Sequence, residues 1–229
     1  MSETAPSPTK RHGLVTRLWH WLNFASVTVL FMSGLNISNA HRYLYWGHSG
    51  FDPSQAWLAV PRFPGWATIP GYYDLAAARD WHILAAWFFA VGLLVMWVVL
   101  LFSGRFWREM RTSPAEWTPK AIARSIASHW SLKFVSSGTK YNFLQRVAYG
   151  TVLGIFLPMM IISGLAISPG IEPAAPWLVD MFGGRQGARS VHFIVTWATV
   201  TFFAVHIIAV LVSGPIKQIG EMITGGGNE

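Results

Sequence analysis

Four stretches of this chain contain no Asp, Glu, Lys or Arg, and each is 22 residues or longer: Leu18–His41, Ile83–Gly104, Val147–Ile171 and Ser190–Ile216. A helix needs about 20 apolar residues to cross the hydrocarbon of a bilayer. Four such runs in 229 residues are too many and too long for the buried helices of a soluble domain. They predict an all-α membrane protein: one four-helix transmembrane bundle over 1–229, with helices near 14–37, 78–104, 142–168 and 188–214. Two long loops remain, Ser38–Ala78, rich in Trp, Tyr, Pro and Gly, and Arg105–Lys140, which is basic. A surface helix is expected near Pro119–Phe134, and Ile216–Thr224 reads as a short amphipathic helix at the membrane interface. The polar Met1–Thr9, with two prolines, is expected to be disordered. The first apolar run is too long for a signal-peptide core, so it is expected to be retained.

The net charge of +7 is distributed along the membrane rather than gathered for nucleic acid. The segments on the side of the two termini hold twelve basic residues against five acidic, and the opposite loops hold five against five. That is a positive-inside bias, which puts both termini in the cytoplasm and Ser38–Ala78 outside. The chain has no cysteine. Disulfides, iron–sulfur clusters, thiolate zinc sites and covalent c-type haem are thereby excluded. A redox centre here would have to rest on His, Met or oxygen ligands.

The fourth run carries two histidines, His192 and His206. Fourteen residues on an α-helix turn through about 1400°, within about 40° of four full turns, and rise about 21 Å. Both rings therefore share one stripe at opposite membrane depths. A polar ring inside lipid is costly and reads as functional. The first and second runs add His20 and His82.

Helices two and four align without a gap. Arg79-Asp-Trp-His82 matches Arg189-Ser-Val-His192, Trp87 matches Trp197, and Ser103-Gly104 matches Ser213-Gly214. Helices one and three share Ser33-Gly34-Leu35 and Ser163-Gly164-Leu165. The chain reads as a duplicated two-helix hairpin. His206 aligns with Met96 and His20 with Gly150, so these two histidines break the repeat. Helix three carries Gly150, Gly154 and Gly164 instead. Missing Cβ atoms there admit either a packed helix or a flat cofactor. Pro158 is expected to disturb this helix.

Depth pairs the histidines. His20 and His206 lie at the inner ends of helices one and four; His82 and His192 lie at the outer starts of helices two and four. A bis-imidazole pair on facing helices of a bundle suits a b-type haem. A lone intramembrane histidine is more often a hydrogen-bonded packing residue, but four at two matched depths point to ligands. Zinc or copper fits less well: the two pairs are too far apart to share an ion, and no membrane carboxylate or thiolate completes a site. Arg17, Arg79 and Arg189 each stand three residues before a candidate ligand. They suit haem propionates or, equally, snorkelling to lipid phosphate. Met96 reads as a gap filler, and His12, His41, His48 and His129 as surface residues.

These features resemble the dihaem b-type cytochrome subunits of membrane-bound hydrogenases, formate dehydrogenases and thiosulfate reductases. The shared elements are Arg17-x-x-His20-Trp21, Arg79-x-x-His82 and the two histidines of helix four. Lys140-Tyr-Asn-Phe-Leu-Gln-Arg146 is similar to the stretch where formate dehydrogenase cytochromes bind a quinone beside the inner haem. The resemblance implies two haem b groups on His20, His206, His82 and His192, and a quinone (menaquinone or ubiquinone) lined by Asn142 and Gln145 near His206. Leu144 stands where that stretch is expected to have glycine, and Asn142 fits a helix N-cap equally well. The resemblance covers the helices and ligands but not the long loops, whose length is similar to that of the thiosulfate-reductase branch.

The resulting expectation is an electron-transfer subunit of a bacterial inner membrane, without affinity for nucleic acid. It would link the quinone pool to a periplasmic redox enzyme of molybdopterin or hydrogenase type, with the outer aromatic loop as docking surface. Alternatives are a stand-alone quinone-linked oxidoreductase of a small molecule such as superoxide, and a haem-free transporter or membrane anchor.

Overall fold

The computed structural model describes residues 13–130 and 142–225. Lys140 and Tyr141 of the quinone-like stretch, His12, Met1–Thr9 and the tail of the expected Pro119–Phe134 helix lie outside them. Among the described residues four helices are long and apolar enough to cross a membrane: α1 (Leu14–Ala40), α2 (Leu75–Phe102), α5 (Phe143–Ile167) and α7 (Arg185–Val212). Shorter helices are α3 (Arg105–Met110), α4 (Pro119–Trp130), α6 (Pro176–Asp180) and α8 (Pro215–Thr224). A two-residue hairpin pairs β1 (Tyr43–Leu44) with β2 (Leu58–Ala59), antiparallel, in the register Tyr43↔Ala59.

Burial is inverted relative to a soluble protein. The most apolar stretch of α7 is 0% buried, and that of α2 only 28%. Trp87, Phe88, Val91, Leu94, Val95 and Val98 all point outward from α2, where hydrocarbon would be their solvent. The largest fully buried side chains are instead Asn36, Ser33, Ser163 and Ser190. In lipid an apolar side chain gains little by burial, so small and polar residues hold the helices together.

The duplication is visible in the backbone. Both α2 and α7 have 28 residues, with His82 and His192 at the same position in each. Both end on a glycine in the left-handed region, Gly104 (φ 63°) and Gly214 (φ 91°). A side chain would be strained there. Each glycine turns the chain directly into a short helix, α3 or α8.

Among the described residues the chain divides into two units. The first consists of α1, Pro61–Met96 and the chain from Val200. One end of it is tied by asparagines: Asn36 Nδ2 donates to the carbonyls of Pro70 (3.1 Å) and Tyr72 (2.8 Å), and Asn39 exchanges two bonds with the Phe63 backbone. At its other end α1 holds the last turn of α8. Arg17 Nη1 donates to the Thr224 carbonyl (3.1 Å) and Trp21 Nε1 to that of Met222 (3.2 Å). These are carbonyls a helix C-terminus leaves unpaired. Ile216, Ile219 and Ile223 form the exposed stripe of α8, as expected of an interfacial helix.

The second unit consists of Tyr43–Val60 and Trp97–Thr199. Its hairpin is fastened to the start of α7. Ser190 Oγ donates to the Tyr45 carbonyl (2.6 Å) and accepts from Trp57 Nε1 (2.9 Å), and the Gly47 carbonyl accepts from the N–H groups of Gln186 and Gly187. Gly184 (φ 119°) comes so close that an added Cβ would lie 2.5 Å from the Gly47 oxygen. Helix α5 begins with a capping box, in which Asn142 Oδ1 accepts from Gln145 N–H (2.9 Å) and Gln145 Oε1 from Asn142 N–H (3.2 Å). The disturbance expected at Pro158 is a π-helical turn over Val152–Phe156. Leu157 N–H bonds to the Val152 carbonyl, five residues back, and the Leu153 carbonyl accepts the Trp97 indole N–H (3.2 Å) instead. Near α5, Arg146 pairs with Glu116 and donates to the Arg111 carbonyl (2.6 Å), strapping the basic loop to the helix. The Glu116 carboxyl is held below the ordinary carboxylate range, chiefly by the Ser113 backbone N–H, against an upward push from burial and with further help from Arg146.

Candidate functional site

His20 and His206 meet inside the first unit. Their ring centres are 6.4 Å apart and their planes are inclined by 60°. His20 packs edge-on against Trp21, and His206 stacks on Phe202 with an interplanar angle of 14°. Among the described residues Nδ1 of His20 is buried without a hydrogen-bond partner. Burying such a nitrogen is unfavourable unless something else engages the ring. Two imidazoles that bind one metal through bonds of about 2 Å have ring centres roughly 6 Å apart. The observed spacing therefore fits an iron between them. Among the described residues no three His, Cys, Asp or Glu side chains gather into a metal site. A haem needs only two ligands from the protein, because its porphyrin supplies the other four nitrogens. The residues present fit that group.

His82 belongs to the first unit and His192 to the second, and each has the same local setting. Nδ1 of His82 lies 2.9 Å from Ser33 Oγ, and Nδ1 of His192 lies 2.9 Å from Ser163 Oγ. A Cβ added to the following glycine would touch the ring at Cε1, at 3.6 Å for Gly34 and 3.5 Å for Gly164. Both serines are fully buried. The sequence shows Ser-Gly as a repeated helix end; its contact with a histidine of the neighbouring helix is a tertiary fact that the spacing alone does not carry.

The arginines have local partners. Arg17 donates to Thr224, and its Nε is buried and unpartnered. Arg79 Nη2 lies 3.4 Å from His41 Nε2, and Arg189 Nη1 donates to Gln186 Oε1 (2.9 Å). Asn142 and Gln145 have their side-chain oxygens committed to the capping box. Beside them opens a cleft of about 370 Å³, walled by Phe106, Trp107, Trp117, Arg146, Gly150 and Thr151 among others. Neither Asn142 nor Gln145 lines it. Its volume is within the range of small-molecule sites, and no single residue announced it, because its wall is shared by α3, the 114–117 turn and α5. Among the described residues nothing lies within 4 Å of a Cβ added at Gly150 or Gly154. Met96 is a buried core residue, 5% exposed.

A family profile described as prokaryotic cytochrome b561 matches residues 11–225. The chain is 30% identical over 192 residues to the "Putative protein-methionine-sulfoxide reductase subunit YedZ1" of Azospira oryzae, covering 83% of this chain and 85% of the relative. It is 24% identical to the "Probable Ni/Fe-hydrogenase B-type cytochrome subunit" of Cupriavidus necator, over 91% of this chain and 82% of the relative. It is 22% identical to the protein of the same description from Rhodobacter capsulatus, over 91% and 77%.

Proposed function

This chain belongs to the prokaryotic cytochrome b561 family, a membrane b-type cytochrome, and we propose that it holds two b haems and carries electrons across the bacterial inner membrane. His20 and His206 ligate the inner haem; His82 and His192 ligate the outer one. Bound haem supplies one-electron chemistry at iron, tuned by its axial ligands and their hydrogen bonds. The chain supplies the ligands, the apolar surroundings and the spacing. The observation that carries this reading is the 6.4 Å separation of the His20 and His206 rings, on two helices with no carboxylate or thiolate to complete any other metal site.

Arg17, Arg79 and Arg189 face the propionates in this reading, and the buried unpartnered Nε of Arg17 supports the first. A quinone is the inner electron partner. The apolar, aromatic cleft beside the Asn142–Gln145 cap supports it; neither amide lines that cleft, and the place of Asn142 and Gln145 at the quinone rests on the resemblance alone. The positive-inside charge bias supports cytoplasmic termini and an outer face at the hairpin. There the partner is a redox enzyme of molybdopterin or hydrogenase type. Support for this comes from the relatives, described as subunits of a methionine-sulfoxide reductase and of Ni/Fe-hydrogenases. The test is a pyridine haemochrome assay on the purified chain. Two b haems per chain are expected; a colourless protein, or one that holds a single haem at saturation, contradicts the proposal.

A further inference from the structure

We infer that Ser33 and Ser163 are matched positioning residues for the two outer haem ligands, fixing each imidazole as the Nδ1–H tautomer with its Nε2 lone pair directed to iron. This rests on the reading of His82 and His192 as ligands of one haem.

A serine hydroxyl has one hydrogen to donate. Ser33 Oγ lies 2.7 Å from the Val29 carbonyl and 3.2 Å from that of Leu30. Ser163 Oγ lies 2.6 Å from the Met159 carbonyl and 3.4 Å from that of Met160. Carbonyls only accept, so each hydroxyl hydrogen is spent on the backbone. At 2.9 Å from Nδ1, each Oγ can then only accept, and the hydrogen between them belongs to the ring. Both serines are 0% exposed, so water does not compete. Metal-bound histidines commonly donate their second N–H to such an acceptor, which orients the ring and makes it a stronger ligand.

Serine in a membrane helix often bonds back to the carbonyl four residues earlier, and that habit alone explains half of the geometry. It does not explain why both serines also meet a histidine Nδ1 at the same distance, in two helix pairs that differ elsewhere. Asn36 in one helix stands where Ala166 stands in the other, and Met96 where His206 stands. The inner pair has no such arrangement at His20, whose Nδ1 lacks a partner. The device therefore belongs to the outer ligands.

The test is potentiometric titration of the purified, haem-loaded full chain, followed by optical and EPR spectroscopy, for Ser33→Ala, Ser163→Ala and the corresponding Thr and Cys variants. Removing an acceptor from Nδ1–H weakens the ligand's donation and disfavours the ferric state. Each alanine variant is therefore expected to raise the potential of the same haem and leave the other unmoved. Threonine, which keeps the oxygen, should restore the native value, and cysteine, a weak acceptor of nearly the same size, should not. Two haems with unshifted potentials in the alanine variants would overturn the inference. So would Thr and Cys variants that behave alike, which guards against alanine variants that simply lose haem. If Ser33→Ala and Ser163→Ala moved two different haems, the serine role would stand and the pairing of His82 with His192 would fall.

Discussion

His82 and His192 sit in settings that repeat one another, each with Nδ1 at 2.9 Å from a buried serine and a glycine against Cε1. Among the described residues His20 and His206 have nothing of the kind. They meet each other at 6.4 Å, one edge-on to a tryptophan and the other stacked on a phenylalanine, and both fall where the internal repeat fails. The contrast fits a duplicated Ser-Gly/His helix pair for the proposed outer ligands, with the proposed inner ligands present in single copies. The half that holds His20 and His206 differs in what the rings meet, and it is there that the quinone is proposed.

The strongest way to break this comparison is to crowd the two glycines. A Cβ at Gly34 or Gly164 makes ordinary contact with the ring, so alanine should be tolerated. The branched carbons of leucine reach into the ring's place. Gly34→Leu and Gly164→Leu should each cost one of the two haems, and the same one, measured by haem content and EPR. Loss of different haems would dissolve the symmetry of the outer pair.

A smaller effect is expected at the strap on α5. Glu116→Gln leaves Arg146, 9% exposed, with a buried charge facing a neutral partner. That should destabilise the protein by about 1–3 kcal/mol, between the values for exposed and buried pairs, and show in thermal melting followed at the haem bands. The same carboxylate gives a pH signature. Its folded pKa is lowered, so its stabilisation is complete above the ordinary carboxylate range and is lost as pH falls through the lowered value. Glu116→Gln should flatten that acid limb of the melting profile; an unchanged limb would remove Glu116 as its source.

The smallest effect sharpens the inner side. Trp21→Phe and Arg17→Gln each remove one hydrogen bond that holds α8 on α1, worth about 0.5–1.5 kcal/mol. Proteolysis of the C-terminal helix should quicken in both. Only the spectrum of the haem proposed at His20 should respond, because the two side chains flank His20 and not His82.

Much of this was legible in the chain. Uncharged runs located the four spans, since charge inside hydrocarbon is what a membrane forbids. Their ends were less legible. Helix α2 starts at Leu75 rather than near 78, with Asp74 Oδ1 capping the Ala77 N–H, in water where hydropathy is silent. Helix α1 runs on to Ala40 because Asn36 and Asn39 turn inward to hold the loop instead of ending the helix. The hairpin at Tyr43–Ala59 has strands of two residues, too short for any alternation to show. The Asn142 cap was readable from Asn-x-x-Gln. The serine partners of His82 and His192 were not, because one residue's partner on another helix leaves no mark in local spacing.

The four proposed ligand histidines offer the most direct test. In purified His20→Ala, His206→Ala, His82→Ala and His192→Ala variants, EPR and redox titration of the haem that remains show which one was lost. His20→Ala and His206→Ala are expected to lose one and the same haem, and His82→Ala and His192→Ala the other. Loss of a single common haem by His20→Ala and His82→Ala, or two haems retained in any of the four, would contradict the pairing.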